Sequence, residues 1–170
     1  MVKISRSQLF IAILSVVFLL SGCAEVSERS LSKNDVNDSG VVDYSPSLIR
    51  VTPLTEIVEG LEGDEVGIRV YVDVLDSFGV RGKGAGIFRF ELYSYSLHSA
   101  DPKGERLMVW PDIDIREAVS NSEYWRDFLR AYEIVLLADS RFVRGGSYIL
   151  RATFICSGGK RLTDDIMLKY

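Results

Sequence analysis

Val66-Gly67-Ile68-Arg69-Val70-Tyr71-Val72-Asp73-Val74-Leu75 is the stretch that decides the fold. Val66, Ile68, Val70, Val72 and Val74 fall on one face of an extended strand, and Arg69 and Asp73 on the other. A period of two sends alternate side chains to opposite faces, so one set meets the core and the other meets water. The same period recurs downstream. Phe88, Phe90 and Leu92 alternate with Arg89 and Glu91; Tyr148, Leu150, Ala152, Phe154 and Cys156 alternate with Arg151 and Thr153. Ile166, Leu168 and Tyr170 alternate with Asp165 and Lys169. Residues 49–58 and 132–137 are further strand candidates, and Pro53 bends or edges the first because it cannot donate to a ladder.

Between these runs lie Asp76-Ser77-Phe78-Gly79, Gly82-Lys83-Gly84, Asp101-Pro102-Lys103-Gly104, Arg144-Gly145-Gly146 and Ser157-Gly158-Gly159. Such residues supply the positive φ and the turn initiation that hairpins need. The pattern predicts a mainly β fold: an antiparallel two-sheet sandwich of six to eight strands. One stretch departs from it. Ile115, Ala118, Val119, Tyr124, Trp125, Phe128 and Leu129 lie near helical spacing, and Ser120 or Ser122 is placed to cap a helical turn. The expectation is one short inserted helix near 116–129, covering an end of the sandwich and burying Trp125 and Phe128.

Val72-Asp73-Val74-Leu75-Asp76-Ser77-Phe78-Gly79-Val80, followed by Gly84-Ala85-Gly86-Ile87-Phe88, resembles a phrase of bacterial Ig-like and transthyretin-like modules. Gly146-Ser147-Tyr148-Ile149-Leu150-Arg151-Ala152-Thr153 resembles their penultimate strand. The resemblance implies a sandwich and no particular activity, because such folds host unrelated functions. Ile68-Arg69-Val70-Tyr71 also resembles an early strand of the outer-membrane lipoproteins of type VI secretion systems, although Trp110 to Leu129 has no counterpart there.

The amino terminus carries an address. Lys3 and Arg6 precede an apolar run from Leu9 to Leu20, interrupted only by Ser15. That is the charged n-region and short h-region of a secretory signal, too short for a spanning helix of roughly 20 residues. Leu20-Ser21-Gly22-Cys23 then resembles the bacterial lipobox. The resemblance implies cleavage between Gly22 and Cys23, a diacylglyceryl group on the Cys23 thiol and a palmitate-type chain on its amine. More than one chain matters, since a single chain holds a protein to a membrane only marginally. Ala24, not aspartate, follows Cys23, which by the enteric sorting pattern implies the outer membrane, facing the periplasm. Residues 1–22 thus read as signal peptide, 23–47 as lipidated tether and 48–170 as the sandwich. The tether is rich in Ser, Asp, Asn and Glu, which cannot bury enough apolar surface to offset ordering.

Charge narrows the partners. The whole chain carries −4; the signal takes two positive charges with it, leaving a mature domain with no basic footprint for nucleic acid. Of the two cysteines, Cys23 goes to lipid, and Cys156 sits in an apolar strand pattern as a buried small hydrophobe. His98 is the only histidine, so neither a zinc site nor a histidine-based nucleophile has its parts; it reads as a solvated loop residue. Gly82-Lys83-Gly84-Ala85-Gly86 opens no helix and is a hairpin loop, not a phosphate cradle. Asp112 and Asp114 are two apart, so a strand would place both carboxylates on one face, and Asp76, Asp164 and Asp165 lie at other turn-like positions. These acids are candidates for calcium or a carboxylate pair, with solvation the simpler reading. Tyr93 and Tyr95 share the face opposite Phe88 and Phe90; with Trp110, Tyr124 and Trp125 they are candidates for a partner or carbohydrate platform, or for the surface on which the inserted helix packs. The resulting expectation is a non-enzymatic, cofactor-free lipoprotein of the cell envelope. It binds or scaffolds another envelope component. A second reading is a secretion-system or envelope-assembly lipoprotein with a dedicated protein partner, and a third, of a different class, is a carbohydrate-binding module or weak hydrolase.

Overall fold

A computed structural model of the chain describes residues 43–60, 65–97, 101–139 and 141–170; residues 1–42, including Gly22 and Cys23, and His98 lie outside them. Two antiparallel sheets form. The first contains β1 (Leu48–Val51), β2 (Glu56–Glu59), β3 (Val66–Leu75), β7 (Trp125–Arg126) and β8 (Ala131–Leu137), with β3 at its centre. β1 and β2 lie on one side of β3, and β8 followed by β7 on the other. The second sheet runs β10 (Arg161–Lys169), β9 (Ser147–Cys156), β4 (Gly86–Tyr95) and β5 (Lys103–Val109), with β6 (Ile113–Asp114) also on β4. Thr52 to Thr55 form the turn that separates β1 from β2, so Pro53 stands outside the ladder, as its missing donor requires.

The inward faces are the ones the alternation marks. Ile68, Val70, Val72 and Val74 from β3 meet Phe88, Phe90 and Leu92 from β4, all at most 2% exposed. Leu150, Ala152 and Phe154 of β9 are fully buried with them. Phe88 lies at the centre of an aromatic cluster, 4.7 Å from Phe154 and 5.3 Å from Tyr132 between ring centroids. Side chains close both flanks of the sandwich. At one, the Val51 amide of β1 donates to Asp164 Oδ2 of β10 at 2.7 Å. At the other, Trp110 Nε1 donates to the Leu137 carbonyl of β8 at 2.6 Å. Each bond uses a backbone group that an edge strand would otherwise leave open to another chain.

The helix exists, and its detail differs from the sequence expectation. α1 spans Ala118–Tyr124, shorter than 116–129, and its N-cap is Glu117, which makes no side-chain capping bond. Ser120 does not cap; its hydroxyl donates to the Glu117 carbonyl. Trp125 and Arg126 leave the helix to pair with Tyr132 and Ala131. Phe128 is the larger correction: it is 83% exposed, and Trp125 is half-buried. Helical spacing predicts a core face only while the helix lasts, and here it ends at Tyr124.

A buried polar knot holds this insert to the sheets. The Gly84 amide donates to the Tyr132 hydroxyl at 2.9 Å, and the hydroxyl proton is within reach of Gly84 O at 3.1 Å and Asn121 Oδ1 at 3.2 Å. Asn121 Nδ2 in turn donates to Gly84 O and Ile115 O. Asn121 is thus the one buried residue of α1, and it substitutes hydrogen bonds for the apolar face that so short a helix lacks. Gly86 fits beside the knot for a steric reason. A Cβ there would lie 2.5 Å from Phe154 Cζ and 2.6 Å from the Ile155 carbonyl.

Tyr132→Phe keeps the ring contacts and removes the hydroxyl, leaving the Gly84 amide without its partner. Leaving a buried group unsatisfied costs about 1–3 kcal/mol, several degrees of thermal midpoint in a domain of this size. Thermal unfolding measures it, and an unchanged midpoint would show that the knot contributes nothing.

Candidate functional site

The outward faces of the two sheets differ in kind. On the β10–β9–β4–β5 sheet, charges pave the surface. Arg106 pairs with Glu91 at 2.9 Å, Arg151 with Asp165 at 2.8 Å, and Lys103 reaches both Asp165 and Asp101 at 3.2 Å. Tyr93 stands half-buried in this lattice, and burial, with Glu91 beside it, raises its hydroxyl pKa. Its cross-strand neighbour Ile149 is only 6% exposed although it points away from the core. Tyr95 lies further along the same strand, opposite Lys103.

The other sequence candidates go elsewhere. Trp110 packs half-buried over the flank that its indole closes, while Tyr124 and Trp125 pack at the α1–β7 junction. Trp125 meets Tyr132 edge-on at 5.0 Å and donates its Nε1 proton to Asp127. The five aromatics therefore occupy three places and make no single platform. Nor does the helix pack on Tyr93 and Tyr95; its bonds run to Gly84 and Ile115, and its nearest strands are β7 and β8.

The acids also have partners. Asp112 holds Arg89 through both oxygens, Asp76 accepts the amides of Phe78 and Val80, and Asp164 accepts that of Val51. Arg116 holds Asp114 so closely that its carboxyl pKa falls to about 2. Among the described residues no three His, Cys, Asp or Glu side chains gather to hold a metal. Cys156 is half-buried against the core, and that burial pushes its thiol pKa up, away from the reactive thiolate.

The outward face of the β1/β2–β3–β8 sheet carries a site that sequence reading missed. Its floor is Tyr71, whose amide donates to Thr55 Oγ1 at 3.1 Å and whose hydroxyl donates to Glu133 at 3.2 Å. Glu133 also takes Arg126 at 2.5 Å, and Arg69 bridges from Glu133 to Glu56. Over this floor, Leu54, Phe128 and Leu129 line a cavity of about 290 Å³ with Tyr71 and Glu56. Leu54 is 56% exposed and Phe128 83%.

The turn that carries Phe128 is heavily braced. The Arg130 amide donates to Arg126 O at 2.8 Å, and Arg126 Nη1 donates to Glu123 O at 2.8 Å. Arg130 has φ of +53°, the only positive value among the described non-glycine residues, and its guanidinium bonds the Arg81 carbonyl at 2.6 Å. A left-handed arginine costs backbone energy, and the bonds around it hold the turn in place. Phe128 thus stands exposed on a rigid support, although nothing in the sandwich core requires it there.

Asp73 is the second surprise of this face. Alternation sends it to solvent, yet its side chain is 1% exposed. Arg81 Nε lies 2.9 Å from Oδ2, and cross-strand Arg50 stands opposite, but neither oxygen has a well-aligned hydrogen bond among the described residues. Burial raises its pKa, with Arg81 and Arg50 opposing.

Asp165 behaves oppositely. Arg151 first, then Lys103, hold its carboxyl below the ordinary value of 3.8. A lowered folded-state pKa means stability that is present above about 3.8 and lost as pH falls through the folded value. Asp165→Asn should cost about 1 kcal/mol at neutral pH, a modest sum because the pair is partly solvated. Thermal midpoints taken between about pH 6 and pH 2.5 should show a shallower acid decline for the variant than for the native chain. Parallel declines would assign the acid sensitivity to other carboxylates. No family model, curated protein or solved structure matches this chain.

Proposed function

We propose that this chain is a non-enzymatic lipoprotein of the cell envelope, anchored through Cys23, whose sandwich docks a protein partner on the Tyr71 cavity. The single observation that carries the docking surface is Phe128, 83% exposed on a braced turn beside a cavity it shares with Leu54 and Leu129. An aromatic presented next to an apolar pocket is the usual form of a binding anchor, and anchors of this kind carry most of an interface's energy. The surrounding Glu56, Arg69, Glu133 and Arg126 are already paired, so they form a polar rim. An apolar side chain of the partner fills the cavity, and Phe128 packs on the partner in return. The lipobox at Leu20 to Cys23 supports the anchoring half of the reading, and Ala24 supports the outer membrane.

Two variants test the halves separately. Cys23→Ser should abolish fatty-acid labelling and release the chain from membranes; continued labelling would sink the lipobox. Phe128→Ser should leave labelling and thermal midpoint unchanged, because the ring touches little of its own fold. It should weaken capture of a crosslinked envelope partner by at least tenfold, the scale of losing an aromatic anchor at about 2 kcal/mol. Undiminished capture would remove Phe128 from the interface.

A further inference from the structure

A second apolar feature stands where the described chain begins. The Asp76–Val80 turn projects Phe78, 64% exposed, and Val80, 53% exposed. Tyr44, 72% exposed, lies beside it with ring centroids 6.0 Å apart. From Ser77 to Val80 the loop carries no charge.

Its backbone is satisfied from within. Asp76 Oδ1 accepts the amides of Phe78 and Val80 at 2.9 Å, Asp76 O accepts that of Gly79 at 3.1 Å, and Gly79 takes the φ of +78° that the turn needs. A loop in this state gives up no hydrogen bond of those amides on leaving water, which lowers the cost of entering a headgroup boundary. The neighbouring segment is fixed to it: Ser77 Oγ donates to Asp43 O, Ser47 N to Leu75 O, and Lys160 Nζ to Pro46 O.

Position supplies the occupant. Asp43 is where the chain continues back to Cys23, twenty positions earlier, a distance that even full extension limits to about 70 Å. Tyr44 is the next residue, so the Tyr44–Phe78 pair stands at the point where the chain from Cys23 joins the sandwich. We infer that Phe78, Val80 and Tyr44 form a second, weak membrane contact, dipping into the headgroup boundary of the bilayer that holds Cys23 and orienting the sandwich upon it. The inference rests on the lipid-anchor reading. A weak contact suffices because the anchor makes it intramolecular, and covalent linkage to the surface raises the effective concentration of the loop there. Tyrosine is at home at such a boundary, with its ring in the apolar zone and its hydroxyl in water. The acidic net charge of the chain argues for apolar insertion into a zwitterionic surface over adsorption to anionic lipid.

The test uses the full lipidated chain in phosphatidylcholine vesicles with and without brominated acyl chains. Phe78→Trp adds an indole to the native Trp110 and Trp125, and Phe128→Trp adds one on the cavity turn as a control. The expected result is at least a twofold loss of the added emission for Phe78→Trp in brominated vesicles, with the Phe128→Trp and native emissions unchanged. A chain that floats with the vesicles while the Phe78→Trp indole escapes quenching overturns the inference and leaves the anchor standing. Equal quenching of both added indoles also overturns it, since the loop then has no preferred orientation. A chain that does not float overturns the anchor, and the inference with it.

Discussion

The Tyr132 hydroxyl is the constraint on which the arrangement turns. Its ring belongs to the aromatic core, against Phe88 on one side and Trp125 on the other. Its oxygen lies where water cannot reach, and a buried hydroxyl without a partner is expensive. The chain meets that demand with Gly84 and Asn121, drawn from a hairpin loop and from α1. One polar atom therefore ties three separate segments together. The insert from Trp110 to Arg130 stays against the sandwich through this knot, through Trp110 and the buried Ile115, and through the pairing of β6 with β4 and β7 with β8, because the only fully buried side chain of α1 is Asn121.

Once the insert is held, its far end is free to serve as a surface. Arg126 and Arg130 fix the Asp127–Arg130 turn to Glu133 and Arg81, and Phe128 is carried out over Tyr71. The two outer faces of the sandwich diverge as a result. One is closed by an ion lattice that crosses from β5 to β10 and shelters Ile149. The other keeps apolar side chains in water above a paired polar floor. Asp73 lies under this second face, where a carboxylate without aligned hydrogen bonds reduces stability. The sheets tolerate it because their interlocked apolar faces supply most of the folding free energy.

Two of the exposed apolar patches sit on turns. Phe128 with Leu54 makes one patch and Phe78 with Tyr44 another; Asp76 accepts the Phe78 and Val80 amides in the second, and the Arg126 carbonyl accepts those of Leu129 and Arg130 in the first. A mobile loop would lose conformational entropy on binding, whereas turns braced in this way have already lost it on folding.

The strand pattern, the two facing apolar sets and the sandwich were legible from residues alone. A period of two is a local property that each strand carries without its partners, and it needs no tertiary knowledge to be read: Ile68, Val70, Val72 and Val74 point inward whatever they meet. The proposed address in Leu20 to Cys23 is likewise written in contiguous residues. The site was not legible. Phe128 has the same spacing as a core residue and is exposed because α1 stops four residues earlier, where pairing of Trp125 with Tyr132 outcompetes another helical turn. Asp73 has the spacing of a solvent residue and is buried because Arg81 folds back across it from a turn. Burial of an outward face depends on which other segment crosses it, and only the tertiary structure decides that.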